Sequence, residues 1–301
     1  MKAAIIGAGV IGAGWASRFL ANGWDVCVFD PQANAAAVSA IQAGQAALAE
    51  LHDDLPQPGA LSFADDLVHA TQDALWVQES IPEQLALKRA LLAELTVSSA
   101  TIIGSSTSGF KPSDLGEGFA QADQLIVCHP FNPVYLLPLV EVVPHAAVDE
   151  AVVQRAQQLL EDLRMKPLRV RHEIDGHIAD RLLEAVWREA LWLIHDGVAT
   201  TEEIDRAITD GFGLRWAQMG LFESYRLGGG AGGMRHFIEQ FGPALKLPWT
   251  KLMDVPELDD ALIERIVSQS DAQSGQHTTE ALSRTRDQRL IAIMKALREV
   301  G

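Results

Sequence analysis

The chain has 301 residues, 48% hydrophobic and 21% charged, which fits a globular enzyme large enough for two domains and excludes a disordered or fibrous protein. A formal net charge of −16 and a sequence pI of about 4.9 argue against nucleic acid or an anionic membrane as partner. Only Cys27 and Cys128 are present, both in apolar strand-like runs, so buried free thiols are expected rather than a disulfide framework, and no CxxC, HExxH or similar cluster points to a metal.

The first thirty residues, MKAAIIGAGVIGAGWASRFLANGWDVCVFD, predict a strand, a glycine-rich turn, a helix closed by Gly23 and a second strand ending at Asp30. MKAAII runs directly into that strand with no room for a signal peptide, and no apolar run is long enough to span a bilayer, so a cytoplasmic location is expected. The order is the one a dinucleotide-binding unit requires. Gly7 permits the tight turn, Gly9 lets the backbone approach a pyrophosphate, Gly12 lets the helix pack on the strand, and the helix start at Val10 and Ile11 offers N–H groups to the phosphates. Asp30 is placed to accept from adenosine ribose hydroxyls and to repel a 2′-phosphate, and the following Pro31, Gln32 and Ala33 include no arginine to offset that repulsion. NAD is therefore expected over NADP.

Further along, residues 33–52 read as an alanine-rich helix, LHDDLPQPGAL as a loop, LWVQ (75–78) as a buried strand and 83–95 as a helix. TIIGS (101–105), QLIVCH (124–129) and PLVEVV (138–143) read as strands and 148–164 as a long helix. This alternation predicts an α/β, doubly wound, Rossmann-type domain with a mainly parallel sheet covered on both faces. After PLRV (167–170) the pattern changes, and from about Ile174 only helix-period spacing remains, predicting an all-α C-terminal domain. The boundary falls near Glu173, giving domains 1–172 and 173–301, and LGGGAGG (227–233) is expected to be a turn.

In a sheet of this kind, chemistry belongs outside the carboxyl ends of the strands, and Ser108, His129 and Glu141 fall there. HPFNPVYLLPLVE (129–141) sets a histidine and a glutamate at the two ends of a rigid, apolar, proline-bounded segment, which reads as a general base and its orienting carboxylate. A satisfied core histidine, and a turn or cap serine at 108, are the alternative readings.

The constellation resembles the 3-hydroxyacyl-CoA dehydrogenase family over nearly the whole chain. The resemblance implies NAD as cofactor, His129 as base, Glu141 as its partner and Ser108 of STSG as the hydroxyl that polarises the substrate oxygen. It also implies that Glu83 and Lys88 of PEQLALK border the cofactor, and that the helical domain forms a homodimer. One position departs: the asparagine of a GFxxNR-type segment falls here on Asp180 of GHIADR, and a carboxylate cannot donate a hydrogen bond unless protonated. No lysine or arginine occurs between Arg18 and Lys88, while ten acidic residues do, which disfavours a CoA thioester with its phosphates. VYLLPLVEVVPH, EIDGHIADR and DGFGLRW resemble the branch of the family that acts on small free acids. In that branch Arg215 suits the substrate carboxylate, a surface arginine being the alternative.

Within that branch, AGGMRHFIEQFGPALKLPWTKLMDVPEL and QSDAQSG resemble members that act on L-carnitine, and the resemblance implies oxidation of its 3-hydroxyl. A trimethylammonium group is best met by aromatic faces and diffuse negative charge. Phe131, Asn132, Tyr135 and Phe212 lie in the motif segments, while Asp180, Glu184 and Trp187 share one face of a helix, with core packing the alternative for each aromatic. L-gulonate, a 3-hydroxyacyl compound, or a crystallin-like NAD(H)-binding structural role are the other outcomes the resemblance leaves open.

Overall fold

Strands that read as continuous Ile, Val and Ala runs bury both faces, which requires helices above and below the sheet. The computed structural model describes the chain except residues 33–34, 218, 230–232, 242, 244–249, 251–256, 258, 275, 277 and 301, and the side chains of 270, 271, 273, 274, 279, 280, 282 and 300. Its strands are β1 (Lys2–Ile6), β2 (Asp25–Phe29), β3 (Leu61–Phe63), β4 (Trp76–Glu79), β5 (Ile102–Ser105), β6 (Leu125–Pro130), β7 (Leu139–Pro144) and β8 (Lys166–Arg169). They form one sheet in the order β3-β2-β1-β4-β5-β6-β7-β8. Every neighbouring pair is parallel except β6 with β7. The expected Rossmann-type, mainly parallel sheet is thus present.

Helices α1 (Val10–Ala21), α2 (Ala35–Leu51), α3 (Leu67–Thr71), α4 (Leu85–Glu94), α5 (Pro112–Leu115) and α6 (Glu150–Asp162) connect the strands. One core layer gathers Trp15, Phe19, Trp24 and Trp76 with Val153 and Leu160, so it takes in α1 and α6. A second takes Val77, Leu92, Leu115 and Phe119, hence α4 and α5. Alternate residues of one strand divide between the two, Ile5 in the first and Ile6 in the second, as a two-sided sheet requires. The helix expected at 33–52 runs Ala35–Leu51, with 33 and 34 outside the described residues. The short β3, α3 and α5 were not foreseen.

Arg18 on α1 is fully buried, and its guanidinium is held by carbonyls rather than by a carboxylate. Nε and Nη2 donate to Val134 at 3.1 and 3.0 Å, and further N–H groups reach Leu137, Leu163 and Arg164 at 3.3 to 3.4 Å. These bonds fasten the 134–137 segment, just beyond His129, to the helix that follows the glycine turn.

The chain divides into two compact units, Met1–Arg181 with Asp287–Arg298, and Leu182–Arg286 with Glu299–Gly301. After β8 the described residues form helices and no strand: α7 (Ala179–His195), α8 (Thr201–Ala207), a π-helical turn (Ile208–Phe212), α9 (Gly213–Trp216), α10 (Leu221–Gly228), α11 (Gly233–Phe241), α12 (Asp260–Ser274) and α13 (Thr279–Val300). Helix α8 opens on a capping box, Thr200 Oγ1 accepting from Glu203 N at 3.3 Å while Glu203 Oε2 accepts from Thr200 N at 2.8 Å. The turn expected at 227–233 is shorter than read, since Leu227 and Gly228 still belong to α10 and Gly233 opens α11; Gly229 follows the end of α10, and 230–232 lie outside the described residues. Among the described residues no helix is long and apolar enough to cross a membrane.

Candidate active site

The turn between β1 and α1 has the shape its glycines allow. Gly7 has φ of +90°, and a Cβ there would lie 2.7 Å from the Ser80 carbonyl oxygen. A Cβ on Gly12 would run into the carbonyl of Gly7, so only glycine lets the helix sit this close to the strand. A Cβ on Gly9 would meet nothing within 4 Å and would project into open space. The α1 N-terminus has no side-chain cap and no acid in its first turn, so its N–H groups face outward as anion donors, beside an exposed Val10 and a half-buried Ile11. Asp30 Oδ2 accepts from Ala8 N at 2.7 Å and Oδ1 from Gln32 N at 2.8 Å, so this carboxylate braces the turn. It lines a cleft of about 800 Å³ with Gly7, Gly9, Val10, Ile11 and Ile81. A cradle that side chains would fill, open N–H groups and an acid at the end of β2 together fit a dinucleotide without a 2′-phosphate.

Lys88 and the exposed Glu83 belong to a network, buried at its Lys88–Glu79 end, that joins this turn to the serine loop. Lys88 Nζ, 1% exposed, donates to Glu79 Oε1 at 2.7 Å and to the Ile81 carbonyl at 3.1 Å, and lies 3.3 Å from Glu83 Oε2. Glu79 itself is fully buried and also accepts from Ile81 N at 2.8 Å and from Ser105 Oγ at 2.5 Å. Glu83 Oε1 accepts from Thr107 Oγ1 at 2.5 Å, Ser108 N at 3.1 Å and Gly109 N at 3.2 Å. Ser108 is thereby held by its backbone, with its side chain exposed. Glu79 and Thr107 escaped the sequence reading; the only signals were an acid ending an apolar strand and a second hydroxyl beside Ser108.

His129 and Glu141 are brought together by strand register. In the antiparallel β6–β7 pair they lie directly opposite, so their side chains share one face, and His129 Nδ1 stands 2.9 Å from Glu141 Oε2. The other carboxylate oxygen, Oε1, accepts from Ile178 N at 2.8 Å and Ala179 N at 3.0 Å, the entry to α7. Burial alone would raise the Glu141 carboxyl pKa, but the bonds from His129, Ala179 and Ile178 outweigh it and hold the group below its ordinary value. With Nδ1–H committed to this anion, a neutral His129 keeps its lone pair on Nε2, as a proton acceptor requires. Asp180 Oδ2 lies 3.7 Å from Nε2, and the rings of Phe131 and His177 lie 5.3 and 5.4 Å from that of His129, centroid to centroid.

The remaining residues fall as follows. Asn132 is exposed and precedes Pro133 through a cis peptide. Tyr135 packs with Leu51, Leu136 and Ile291, and its hydroxyl donates to Asp287 Oδ2 at 2.8 Å, so its polar end is engaged by α13. Phe212 and Arg215 lie in the second unit, where the Phe212 ring packs tilted against Trp216 at 4.5 Å between centroids and Arg215 is exposed. Glu184 pairs with Arg188 at 3.5 Å, and Trp187 is exposed. His177 went unnoticed in the sequence, although it stands in the same GHIADR segment as Asp180.

Residues 2–174 match the family described as 3-hydroxyacyl-CoA dehydrogenase, NAD binding domain, and residues 176–264 match 3-hydroxyacyl-CoA dehydrogenase, C-terminal domain. The L-carnitine dehydrogenase/betainyl-CoA thioesterase of Ruegeria pomeroyi is 56% identical over 301 residues, covering 98% of this chain, which spans 62% of that longer protein. The L-carnitine dehydrogenase of Oceanobacillus iheyensis is 50% identical, with 97% of each chain covered. Among solved structures, the NAD⁺-dependent 5-formyl-3-hydroxy-2-methylpyridine 4-carboxylic acid 5-dehydrogenase superposes with a TM-score of 0.84 at 25% identity, over 99% of this chain and 98% of that one. A glycine cradle followed by an antiparallel histidine–glutamate pair thus sits in a sequence matched along both of its parts, and the chain belongs to the 3-hydroxyacyl-CoA dehydrogenase family.

Proposed function

We propose that this chain oxidises the 3-hydroxyl of L-carnitine to a ketone with NAD as acceptor. The observation that carries the reading is His129, whose Nδ1 is 2.9 Å from the Glu141 carboxylate while Nε2 faces Asp180 at 3.7 Å. His129 Nε2 takes the hydroxyl proton, and Glu141 fixes the tautomer and stabilises the imidazolium that forms. Ser108 holds the substrate oxygen. NAD, when bound, accepts the hydride from C3. Gly7, Gly9, Gly12, the helix start at Val10 and Ile11, and Asp30 would hold it, while Glu83 and Lys88 fix the loop between cofactor and substrate.

For the substrate, Asp180 and the Phe131 face are the groups we assign to the trimethylammonium, and Arg215 to the carboxylate. Relatives named L-carnitine dehydrogenase at 50% identity and L-carnitine dehydrogenase/betainyl-CoA thioesterase at 56% support L-carnitine as the substrate. We assign NAD binding to residues 1–172, and self-association with the substrate contacts other than those of Ser108, His129 and Phe131 to 173–301. A homodimer is favoured by apolar side chains exposed on the second unit, among them Leu183, Trp187, Phe222 and Ile238. A reducing cytoplasm suits the two buried free thiols.

A panel of L-carnitine, L-gulonate and 3-hydroxybutyrate, each with NAD and with NADP, tests the reading by NADH or NADPH formation. L-carnitine with NAD should be turned over far more efficiently than any other pair. Equal efficiency with 3-hydroxybutyrate would remove the case for a cation pocket.

A further inference from the structure

His177 is a titratable side chain that the reaction above does not use, and its surroundings are unusual. It is 0% exposed, its backbone is left-handed at φ +50° directly after Gly176 at φ +69°, and its ring lies 5.4 Å from that of His129. Nε2 is 3.3 Å from the Thr107 carbonyl oxygen, whereas Nδ1 has no hydrogen-bond partner among the described residues. A carbonyl only accepts, so Nε2 carries the hydrogen and Nδ1 is a bare, buried acceptor. The opposite tautomer would face two lone pairs against each other and bury an orphaned N–H. The imidazolium would put a charge into a fully buried site. Burial first, and the neighbouring His129 second, push the ring toward its neutral form, against Glu141, Asp180 and the Thr107 bond. The ionisable groups around it are therefore His129 on β6, Glu141 on β7 and Asp180 on α7.

A buried polar atom without a partner costs stability, and a left-handed histidine costs more. Both occur where the 176–179 segment spans from the serine loop to Glu141. Gly176 N donates to the Gly109 carbonyl at 3.4 Å, His177 to Thr107, and Ile178 and Ala179 to Glu141. We infer that His177 is a positioning residue, whose neutral ring holds the Thr107 carbonyl through Nε2–H and thereby fixes Ser108 relative to the Glu141–His129 pair. The inference rests on the proposed reaction, in which Ser108 and His129 act on one hydroxyl.

The test uses His177→Phe, which keeps an aromatic ring and removes both nitrogens, and His177→Gln, whose amide N–H reaches about as far as Nε2. His177→Phe should lower kcat for L-carnitine about 10- to 100-fold, as a misplaced catalytic group does, with NADH affinity by fluorescence titration unchanged. His177→Gln should recover most of that loss. The idea is overturned if His177→Phe keeps kcat within about twofold, if His177→Gln is as impaired as His177→Phe, or if NADH affinity falls in step with kcat. Imidazole ¹⁵N resonances of the unliganded protein give a readout independent of any substrate. A neutral Nε2–H ring at 177 at the pH of the kinetic assay supports the inference even where the parent fails to oxidise carnitine, and a ring that is protonated there or carries its hydrogen on Nδ1 overturns it.

Discussion

Replacing Glu141 by glutamine keeps the side-chain shape and removes one acceptor, and the structure dictates where the loss is felt. In the parent, Oε2 faces His129 Nδ1 at 2.9 Å while Oε1 accepts from Ile178 N at 2.8 Å and Ala179 N at 3.0 Å. A glutamine has one acceptor oxygen and one NH₂. With its oxygen toward His129, the NH₂ would point at two backbone N–H groups, and orphaning those part-buried donors costs about 1–3 kcal/mol each. With its oxygen toward the helix start, both backbone bonds survive and the NH₂ meets His129 Nδ1, which must then be the bare nitrogen. That arrangement is favoured by about 2–6 kcal/mol, against which moving one proton between two ring nitrogens is a small change. His129 therefore carries its hydrogen on Nε2, the atom that has to receive the substrate proton. A carboxylate-to-amide change of this type behind the histidine base of a serine protease lowers kcat by about 10⁴, so a loss of about 10³–10⁴ is expected here. Folding should suffer only by the lost anion at the helix start, about 0.3–2 kcal/mol. NADH formation at saturating L-carnitine and NAD measures the first quantity, and denaturant unfolding the second. A variant that binds NADH normally and keeps kcat within about tenfold of the parent refutes the tautomer argument.

Asp180→Asn removes the charge 3.7 Å from His129 Nε2. At about 5 Å from a quaternary ammonium in a partly solvated site that charge is worth on the order of 1–2 kcal/mol, so KM for L-carnitine should rise about 5- to 30-fold while KM for 3-hydroxybutyrate does not rise; equal rises would show that Asp180 recognises no cation. Lys88→Met leaves the fully buried Glu79 carboxylate without its ion partner at 2.7 Å, and breaking such a pair should cost about 3–5 kcal/mol in chemical denaturation. A cost below about 1 kcal/mol would mean that the pair is not buried as described. His52 is pushed down to about 4 by burial and by Arg164, Arg298 and Arg18. Its folded form stays neutral while the unfolded chain protonates below about pH 6.5, so its contribution is complete above that pH and lost as pH falls toward 4. The Glu141 contribution has the same sense, present above the ordinary glutamate range and lost as pH falls through its lowered folded value. His52→Gln should flatten stability between about pH 6.5 and 4 as read from denaturation midpoints, and an unchanged profile would remove His52 as the cause.

What the sequence made legible was local. The β1–turn–α1–β2 unit could be read because each glycine meets a constraint a few residues away, Gly12 against Gly7 and Asp30 against Ala8. His129 and Glu141 could be named from their segment, but the reason they touch is antiparallel pairing in an otherwise parallel sheet, which spacing does not reveal. Tyr135 was expected at the substrate because of its motif, yet its hydroxyl is bonded to Asp287, 152 positions away. The interval without lysine or arginine is not left unneutralised in the fold. Arg164 pairs with Asp54 at 3.0 Å and Lys88 with Glu79 at 2.7 Å, both arriving from outside it. A charge gap along the chain is therefore weaker evidence against an anionic substrate than it reads in one dimension.

The bonds that hold the site run in one sequence, and its order predicts which functions separate. Glu79 holds Lys88, Lys88 pairs with Glu83, and Glu83 holds Thr107, Ser108 and Gly109. Gly176 and His177 tie that loop to Ile178 and Ala179, which hold Glu141 and through it His129. The glycine turn itself touches this sequence at the Ser80 end, where Ser80 lies against Gly7 and its N–H bonds the Ile6 carbonyl at 2.8 Å, and the helix after the turn also reaches the serine loop, Trp15 Nε1 donating to Ser106 Oγ at 3.1 Å. Changes at Glu141 or His177 are far from that end and should lower turnover while leaving NADH affinity intact. Lys88 sits at the junction, bonded to the Ile81 carbonyl beside Ser80, so Lys88→Met should weaken NADH binding and turnover together. Loss of NADH affinity in Glu141→Gln, or its full retention in Lys88→Met, would mean that cofactor and base are coupled by a route other than these bonds.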